Sequence, residues 1–576
     1  MRNAIRPVSK PGLGPLPLMI GVTGHRDLRG EDRDALETRV QEIFTEMRTR
    51  YPSTPLVLLS PLAEGADRLV ARVALKNGAR LIIPLPMPRE LYEMDFEVPA
   101  SRAEFNELLQ QAEGCFALPL HGTAEADVRS QGEARNDRYA LVGAYIAQHS
   151  QILVALWDGA SADAVGGTAQ IVRFKLEGVP DRYVPPDSAR HPLDPAESGP
   201  VYHIVTPRLN NPQPRGSALT LVKHFPQSYV SDAVAQASYD RLYARMEAFN
   251  RDALRYASHL AAAREASKGS VLPRQEVEAL SSSLTYLLDC YAVVDTLAFY
   301  FQQLTQRTLV GLLIMVFCAA ISFEISSWLP DQRWIQAVYL GVLLSAFTWY
   351  LWAKRRDYQN KSLDYRALAE GLRVQLFWRL AGLKDTVADH YLRRQRGELD
   401  WIRHAIRCWN LPAEVADEGL GASEAPVLAD RMRLVFAHWV QDQYAYFVKA
   451  ARRDHALLEH LKHWGRGFFM IGLAWPVMKV LLMFIHPRLK ALGMAPLIAG
   501  LLYGYARTRA LSEHAKQYGR MGLLFASAKQ RLEELMTAGK YAGAQALIKD
   551  LGKEALAENG DWVLLHRERP LEVPKA

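Results

Sequence analysis

The chain has 576 residues, a formal net charge of +7 and a sequence pI of about 9.0. Its length allows about three or four domains of ~150 residues. The Lys and Arg excess is spread out and much of it flanks apolar runs, so we expect anionic lipid rather than nucleic acid as the partner of these residues. The four cysteines have neither paired nor metal-ligand spacing, which argues against a disulfide framework and a metal site and fits a reducing compartment. The mean hydropathy of -0.11 indicates that most of the chain is soluble.

Short apolar runs alternate with helical patterns over residues 16–210, after a flexible N-terminus at residues 1–15. The first apolar stretch, Leu16–Val22, is too short for a signal peptide. The runs predict five strands, at residues 18–22, 56–59, 80–83, 151–157 and 201–205. Amphipathic spacing predicts helices that include residues 31–51, 101–112 and 135–149. This alternation predicts an α/β, Rossmann-like domain with a parallel, doubly wound sheet.

Polar, glycine-containing turns follow three of the predicted strands, at residues 23–26, 60–67 and 158–168. The carboxyl ends of parallel strands meet at one edge of the sheet, where such folds bind ligands. The turn at 166–168 begins a helix, whose free amides favour an anion such as phosphate, although a Gly-Gly-Thr sequence alone is also an ordinary structural turn. The turns therefore predict a cleft for an anionic ligand.

Three motifs in this region resemble the SLOG superfamily of Rossmann-like nucleotide-binding domains. They are GVTGHRDL at 21–28, LSPLAEGADRLVARVAL at 59–75 and VALWDG followed by GGTAQIV between 154 and 172. The resemblance implies a pocket for a nucleotide-derived ligand. Together with the turn after the fourth strand, it predicts a lining of Thr23, Gly24, His25, Arg26, Ser60, Glu64, Gly65, Asp67, Asp158, Gly159, Gly166, Gly167 and Thr168.

The hydrolase branch of that superfamily, the LOG enzymes, carries a PGGxGTxxE signature whose glutamate helps to cleave an N-glycosidic bond. Here Ala169–Val172 follow Thr168 and contain no carboxylate, so we predict binding without catalysis and name no catalytic residue. Glu64 and Asp67 leave open the alternative that the chain is an enzyme. Two acidic residues at a helix N-terminus, however, also interact favourably with the helix dipole. His25 and Arg26 could grip a phosphate, or Arg26 could pair with Asp27 or Glu64.

A connector at residues 211–306 separates the sheet domain from the apolar part of the chain. Its first part is rich in Pro, Asn, Gly and Ser and predicts a loop over residues 206–236. Helical periodicity follows at 238–265 and 276–306. We expect these helices to carry any signal from the cleft towards the apolar region.

Two apolar runs, at residues 308–329 and 334–353, predict a membrane hairpin. Each approaches the ~20 apolar residues that an α-helix needs to cross a bilayer. Tryptophans lie near the run ends and Lys354-Arg355-Arg356 follows the second run, which places that end in the cytoplasm. The alternative is a buried hairpin in a large soluble protein.

A second apolar pair, at residues 467–485 and 489–506, predicts two more spans in a divergent repeat. AKRRDYQNKSLDYRALAEGLR begins at Ala353, and ARTRALSEHAKQYGRMGLLFA begins at Ala506, so that Tyr365 aligns with Tyr518. The predicted units are 307–411 and 441–540, with a linker at 412–440 and a tail at 541–576. The fold expected for the whole chain is thus an α/β domain followed by an all-α membrane region with four transmembrane helices, both termini being cytoplasmic.

The run DYRALAEGLRVQLFW at 364–378 resembles the SLATT family, the SMODS- and SLOG-associating two-span effectors. The resemblance implies spans that form a pore or disturb the membrane when a nucleotide signal arrives. Glu324 and Lys479 are candidate pore-lining residues, because charges inside a membrane usually face protein or water. Both residues could instead reach the headgroups.

Together these features predict a membrane effector of a bacterial antiviral or conflict system, located in the inner membrane. A homo-oligomer is expected, with a cyclic oligonucleotide or an ADP-ribose derivative as the second messenger and no other cofactor. The alternative is a membrane-anchored nucleotide or nucleoside N-glycosyl hydrolase of LOG type.

Overall fold

A computed structural model describes residues 15–120, 124–161, 164–184, 197–328, 333–392, 399–416, 425–482 and 494–567. Its N-terminal part contains a seven-stranded sheet in the order β4-β3-β2-β1-β5-β6-β7. The strands are β1 (Leu18–Gly24), β2 (Leu56–Leu59), β3 (Arg80–Leu85), β4 (Gly114–Ala117), β5 (Ile152–Trp157), β6 (Val201–Val205) and β7 (Leu221–His224).

The sheet is parallel from β4 to β6, and β7 pairs antiparallel with β6 at one edge. β1, β2 and β5 are apolar and buried on both faces, as expected when helices cover a parallel sheet. The predicted α/β fold and its five strands are therefore confirmed. β4 and β7 are additional, and β7 lies within the predicted loop at 206–236, so the sheet extends beyond residue 210.

The helices of the sheet region are α1 (Arg33–Arg50), α2 (Ala66–Lys76), α3 (Arg89–Tyr92), α4 (Pro99–Gln111), α5 (Glu133–His149) and α6 (Thr168–Glu177). The helical region that follows comprises α7 (Asp232–Arg255), α8 (Ala261–Val271), α9 (Arg274–Glu278), α10 (Ser282–Trp328), α11 (Arg333–Arg356), α12 (Tyr358–Leu380), α13 (Asp400–Ala416), α14 (Ala425–Val435), α15 (Asp442–Leu482), α16 (Met494–Thr508), α17 (Leu511–Thr537) and α18 (Tyr541–Arg567). A π-helical segment, Phe436–Gln441, joins α14 to α15.

The helix α10 merges two elements that the sequence predicts separately, the second connector helix and the first apolar run. It has 47 residues, which corresponds to about 70 Å. Its amino-terminal half belongs to the same hydrophobic core as β1 and α1. The stretch where the two predicted elements meet, Gln302–Arg307, is mostly polar but contains no helix breaker, so the helix continues through it.

Two three-helix units, α10–α12 and α15–α17, follow the repeat in the sequence. In each unit the first helix packs against both of the others. Asp357 connects α11 to α12 with φ of 53°, and Ala510 connects α16 to α17 with φ of 49°. These two left-handed residues are aligned by the repeat, so the same sharp turn is made at the same register in both copies.

Two stretches, not the predicted four, are long and apolar enough to cross a membrane among the described residues. One lies in α10 and the other begins at Arg333 in α11. The second predicted pair falls partly on residues 483–493, outside the described chain. The first pair therefore meets the expectation of membrane association, while topology and the position of the termini stay predictions.

Candidate functional site

The predicted turns meet at the carboxyl edge of the sheet. Residues 23–26 follow β1, residues 60–67 follow β2 and the segment from Asp158 follows β5. The strand order reverses between β1 and β5, and this switch point is where open α/β sheets hold ligands. Thr23 and Gly24 form the last pairs of β1 with β5, at Ala155 and Leu156.

The β2–α2 turn approaches the end of β1 so closely that Gly65 is required there. Gly65 has φ of 80°, and a Cβ at this position would collide with the backbone of His25 and Arg26. The neighbouring Leu62 also has positive φ, 57°, although it is fully buried. Ser60 stabilises the turn by accepting a hydrogen bond from the Leu62 amide at 3.2 Å. A bulky residue with positive φ stores about 1–3 kcal/mol of strain, as is common beside functional sites.

His25 and Asp158 form a closed polar network rather than an open anion site. The His25 Nε2 atom accepts a hydrogen bond from the Asp158 amide at 3.2 Å, and Asn211 donates to the Asp158 carboxylate at 2.9 Å. Burial lowers the pKa of His25, and the nearby Arg208 lowers it further, so the imidazole is neutral at pH 7. Burial acts to raise the pKa of Asp158, but hydrogen bonds from Asn211 and the Ala160 amide leave it below its usual range.

The segment after β6 covers this network. The Arg215 amide donates to the Asp158 carbonyl at 2.7 Å, and a Cβ on Gly159 would lie 2.9 Å from the Arg215 carbonyl oxygen. Arg208 pairs with Asp27 at 2.9 Å. His25, Asp158 and Gly159 are therefore enclosed, and Asp27 is engaged by Arg208 rather than by Arg26.

Arg26 occupies the open side of the switch point. Its side chain is exposed, and its guanidinium carbon lies 5.5 Å from the centre of the Tyr139 ring. Within the described residues Arg26 forms no ion pair with Asp27, Glu64 or any other carboxylate. Partial burial acts to lower the pKa of Arg26, but Tyr92, Tyr139 and Asp95 raise it. A permanent cation without a bound carboxylate is suited to a ligand phosphate.

Tyr139 is held in place by a buried cluster that the sequence analysis missed. Arg135 pairs with Asp95 at 2.6 Å and donates to the Tyr139 hydroxyl at 3.0 Å, while that hydroxyl donates to Asp95. Arg135 and Tyr139 have the i,i+4 spacing of one helix face, which is a weak signal. Asp95 ends a single 3-10 turn, Glu93–Asp95, after α3, which is too short to give a periodic signal.

Asp67 and Glu64, the two acidic residues of the β2–α2 turn, have different surroundings. Asp67 is 5% exposed, and burial raises its pKa to about 7 although the Ala63 amide donates to it at 3.3 Å. Glu64 accepts a hydrogen bond from Ser101, which in turn binds Arg68 at 2.8 Å. Asp67 is thus half-protonated near neutral pH, whereas Glu64 ties α4 to the turn.

The 166–168 turn lies beside Tyr139 on the open side. Gly166 has φ of 76°, and a Cβ there would come within 2.7 Å of the Tyr139 Cβ. The Gly166 amide donates to the Gln170 side chain at 2.7 Å and the Gly167 amide donates to the Ala164 carbonyl at 3.1 Å. These two amides are used inside the turn, while those of Thr168 and Ala169 have no acceptor among the described residues. We call Arg26, Asp67, Tyr139 and residues 166–168 the Arg26 site.

The helical region contacts the opposite, amino edge of the sheet. Asn250 of α7 binds the backbone of Leu16 at 2.6 Å, ahead of β1. Glu247 of α7 accepts from the Thr54 hydroxyl at 2.8 Å, ahead of β2. Glu197, ahead of β6, binds both Arg403 and Arg407 of α13. The strands separate this junction from the Arg26 site by roughly 20 Å.

The carboxyl-terminal half of α10 and most of α11 present apolar side chains at the surface. Examples with more than a third of their area exposed are Val310, Ile314, Phe323, Val338, Leu344 and Phe347. An apolar surface of this extent is a lipid or protein contact. Glu324 lies beside Phe323 in this half of α10, whereas the side chain of Lys479 lies outside the described part of the structure.

Comparisons of the chain with protein-family models, curated proteins and solved structures give no match. The described residues contain no group of three or more His, Cys, Asp or Glu side chains that could hold a metal ion.

Proposed function

We propose that this protein is a ligand-controlled membrane effector that combines a SLOG-like nucleotide sensor with a SLATT-like membrane region. A nucleotide-derived signal, such as a cyclic oligonucleotide or an ADP-ribose derivative, binds the Arg26 site. Binding changes the packing of the membrane helices so that they form a pore or disrupt the bilayer. In a bacterial cell this outcome would stop the spread of an infecting virus.

The continuity of α10 carries the proposal. The amino-terminal half of this one helix shares a core with the sheet, and its carboxyl-terminal half exposes apolar side chains suited to lipid. A helix is stiff over this length, so a tilt imposed at the sheet displaces the apolar half as well. A membrane anchor that served only as a tether would need no such shared core.

The Arg26 site has the chemistry of a phosphate-bearing ligand. Arg26 offers a cation without a carboxylate partner among the described residues, and the Thr168 and Ala169 amides begin α6 next to it. A protonated Asp67 can donate a hydrogen bond, as an ionised carboxylate cannot. Together these groups favour a nucleotide over a neutral metabolite.

The ligand acts across the sheet, because its site and the helical region lie at opposite edges. α5 and α6 begin at the Arg26 site and end at the junction, where Lys175 of α6 donates to the Ala147 carbonyl of α5 at 3.0 Å. Moving a two-state equilibrium from 1:99 to 99:1 requires about 5.5 kcal/mol of differential affinity. In a homo-oligomer with one site per protomer, the sites together would supply this free energy even if each ligand preferred the active state only modestly.

The second apolar pair completes the proposed membrane region. The described end of α15 also exposes apolar side chains, among them Phe469, Ile471, Leu473 and Val477. α16 packs against both α15 and α10. We propose four spans in the inner membrane with both termini cytoplasmic, and Glu324 and Lys479 as candidate pore-lining residues.

Ligand-dependent leakage from proteoliposomes tests the proposal. The full chain is reconstituted with an entrapped dye and exposed to cyclic oligonucleotides and ADP-ribose derivatives. Arg26→Gln should abolish the response, whereas Arg33→Gln, which removes an exposed arginine from α1, should keep it. Absence of leakage with every compound, or equal responses from the two variants, would refute the proposal.

The LOG-type hydrolase is retained as the second candidate because Asp67 has the raised pKa of a proton donor. Incubation of the full chain with NAD and nucleoside monophosphates would release free base if the chain were such an enzyme. Turnover lost in Asp67→Asn would favour the hydrolase, and binding without turnover would favour the sensor.

A further inference from the structure

A second cavity lies where the first apolar pair meets its basic flank, far from the Arg26 site. It has a volume of about 260 Å³ and lies between α10, the end of α11 and the start of α12. Thr308 and Leu312 line it from α10, Tyr350 and Lys354 from α11, and Asp357 and Tyr358 from the turn into α12. This size is below the range of drug-sized pockets and suits a small polar group.

The cavity is lined by a hydroxyl that has no hydrogen-bond partner among the described residues. The Thr308 side chain is 5% exposed, and within the described chain its hydroxyl makes no hydrogen bond. The neighbouring Thr305 hydroxyl is satisfied by the Phe301 carbonyl at 2.9 Å. Thr308 lines the cavity, so its unused hydroxyl can bind a ligand there.

The cavity also brings opposite charges to its two sides. Lys354 and Asp357 both line it, and among the described residues they form no ion pair with each other. The Asn360 amide donates to the Asp357 carboxylate at 2.7 Å and holds it in place. The Tyr350 and Tyr358 rings, which attract cations, complete the lining.

Resting on the membrane location in the proposed function, we propose that this cavity binds the headgroup of a phospholipid that carries both a phosphate and a primary ammonium. The phosphate is bound by Lys354 and the Thr308 hydroxyl. The ammonium donates its hydrogen bonds to Asp357, between the two tyrosines. Leu312 lies one turn further into the apolar half of α10, so the acyl chains continue along that helix into the bilayer.

The headgroup chemistry discriminates among lipids. A phosphatidylglycerol has no ammonium for Asp357, and a phosphatidylcholine has a quaternary ammonium that cannot donate a hydrogen bond. We assign a lipid rather than a soluble phosphate ester, because the lining residues Leu312 and Ala353 lie next to exposed apolar side chains of α10 and α11, such as Ile314 and Trp352.

Native mass spectrometry of the full chain in detergent tests the assignment, with phosphatidylethanolamine, phosphatidylglycerol and phosphatidylcholine of identical acyl chains. We expect retention of phosphatidylethanolamine to exceed that of the other two by about tenfold, the effect of one charge-assisted hydrogen bond. Asp357→Asn should remove this preference without unfolding the turn, because asparagine tolerates positive φ. Lys354→Met should weaken all three lipids, and Arg355→Met, outside the cavity lining, should change none.

Equal retention of the three lipids by the unmodified chain, or an unchanged preference in Asp357→Asn, would overturn the headgroup assignment. Competition by soluble glycerophosphoethanolamine at the same concentration as the lipid would overturn the lipid source. A chain that partitions into membranes without headgroup preference refutes this inference alone. A chain that remains in the soluble fraction refutes the proposed function as well.

Discussion

Asp67 should give the protein an unusual pH dependence of stability. Burial raises its pKa from 3.8 to about 7, so between these values the folded state holds a proton that the unfolded state releases. The free energy of unfolding therefore falls as pH rises from about 4 to 7, by at most about 4 kcal/mol for this shift. Asp67→Asn replaces the protonated acid by a neutral group of the same shape. We expect its melting temperature to exceed that of the unmodified chain at pH 8 and to match it at pH 4.

The control for this experiment is Asp34→Asn, which removes an exposed carboxylate from the first turn of α1. It should leave the pH dependence intact and cost at most about 1 kcal/mol through the helix dipole. A loss of stability at pH 8 in Asp67→Asn would mean that the ionised carboxylate is needed.

At the level of residues, the sequence predicts which turns meet, but it does not predict which of their side chains are exposed to a ligand. His25 and Arg26 are adjacent, yet His25 is enclosed by Asp158 and Arg26 is exposed. The difference depends on Asn211 and Arg215, which reach the switch point from a loop that shows no motif. Asp95 was missed for the same reason: its partner Arg135 is 40 residues further along the chain.

The junction between Glu197 and α13 is the element-scale contact that we expect to transmit the signal. Arg403 and Arg407 are almost fully buried against Glu197, and α13 also contributes Leu411 to the core on that face of the sheet. Burial acts to raise the pKa of Glu197, but Arg407 and Arg403 hold it well below its usual value. The stabilisation that the pairs of Glu197 with Arg403 and Arg407 contribute is therefore complete above pH 4.5, and it is lost as the pH falls below that value.

Glu197→Gln should weaken this junction by about 2–4 kcal/mol, because it leaves two buried arginines without their shared carboxylate. Hydrogen exchange of α13 should accelerate at pH 7, and leakage at saturating ligand should fall, because the Arg26 site is less strongly coupled to the membrane helices. Asp430→Asn is the matched control, since it breaks an exposed pair with Arg433 that is worth less than about 1 kcal/mol. Equal exchange rates in the two variants would exclude the junction as a coupling element.

Strands that form purely apolar runs are predicted well from the sequence, whereas short strands of mixed polarity are not. β1, β2 and β5 were predicted because they are buried on both faces and almost purely apolar. β4 and β7 have four residues each and include a glycine, a lysine or a histidine, so pairing with a neighbouring strand rather than local pattern forms them. The sequence predicts two helices where the structure has the single helix α10, because the side chains change from mixed to apolar at its middle. The helical propensity does not change there, so the helix is not interrupted.

At the scale of the whole molecule, the reactivity of the Cys318 thiol reports where the bilayer lies along α10. This cysteine lies in the apolar half of α10 and is exposed at the protein surface, whereas Cys290 in the sheet-facing half of the same helix is buried. An exposed cysteine in water is readily alkylated. Within hydrocarbon the thiol cannot ionise, and the thiolate is the reactive form.

We therefore expect a chain that retains only Cys318 to resist a water-soluble maleimide in native membranes and to react after detergent is added. In the control chain the only cysteine is introduced by Gln302→Cys. Gln302 is exposed in the same helix, but it precedes Thr308 and therefore lies outside the apolar half. This control should be labelled at least about tenfold faster in inside-out vesicles, since its thiol faces water. If both chains were labelled at the same rate in intact membranes, the apolar half of α10 would lie in water, and its exposed surface would have to bind another protein instead of lipid.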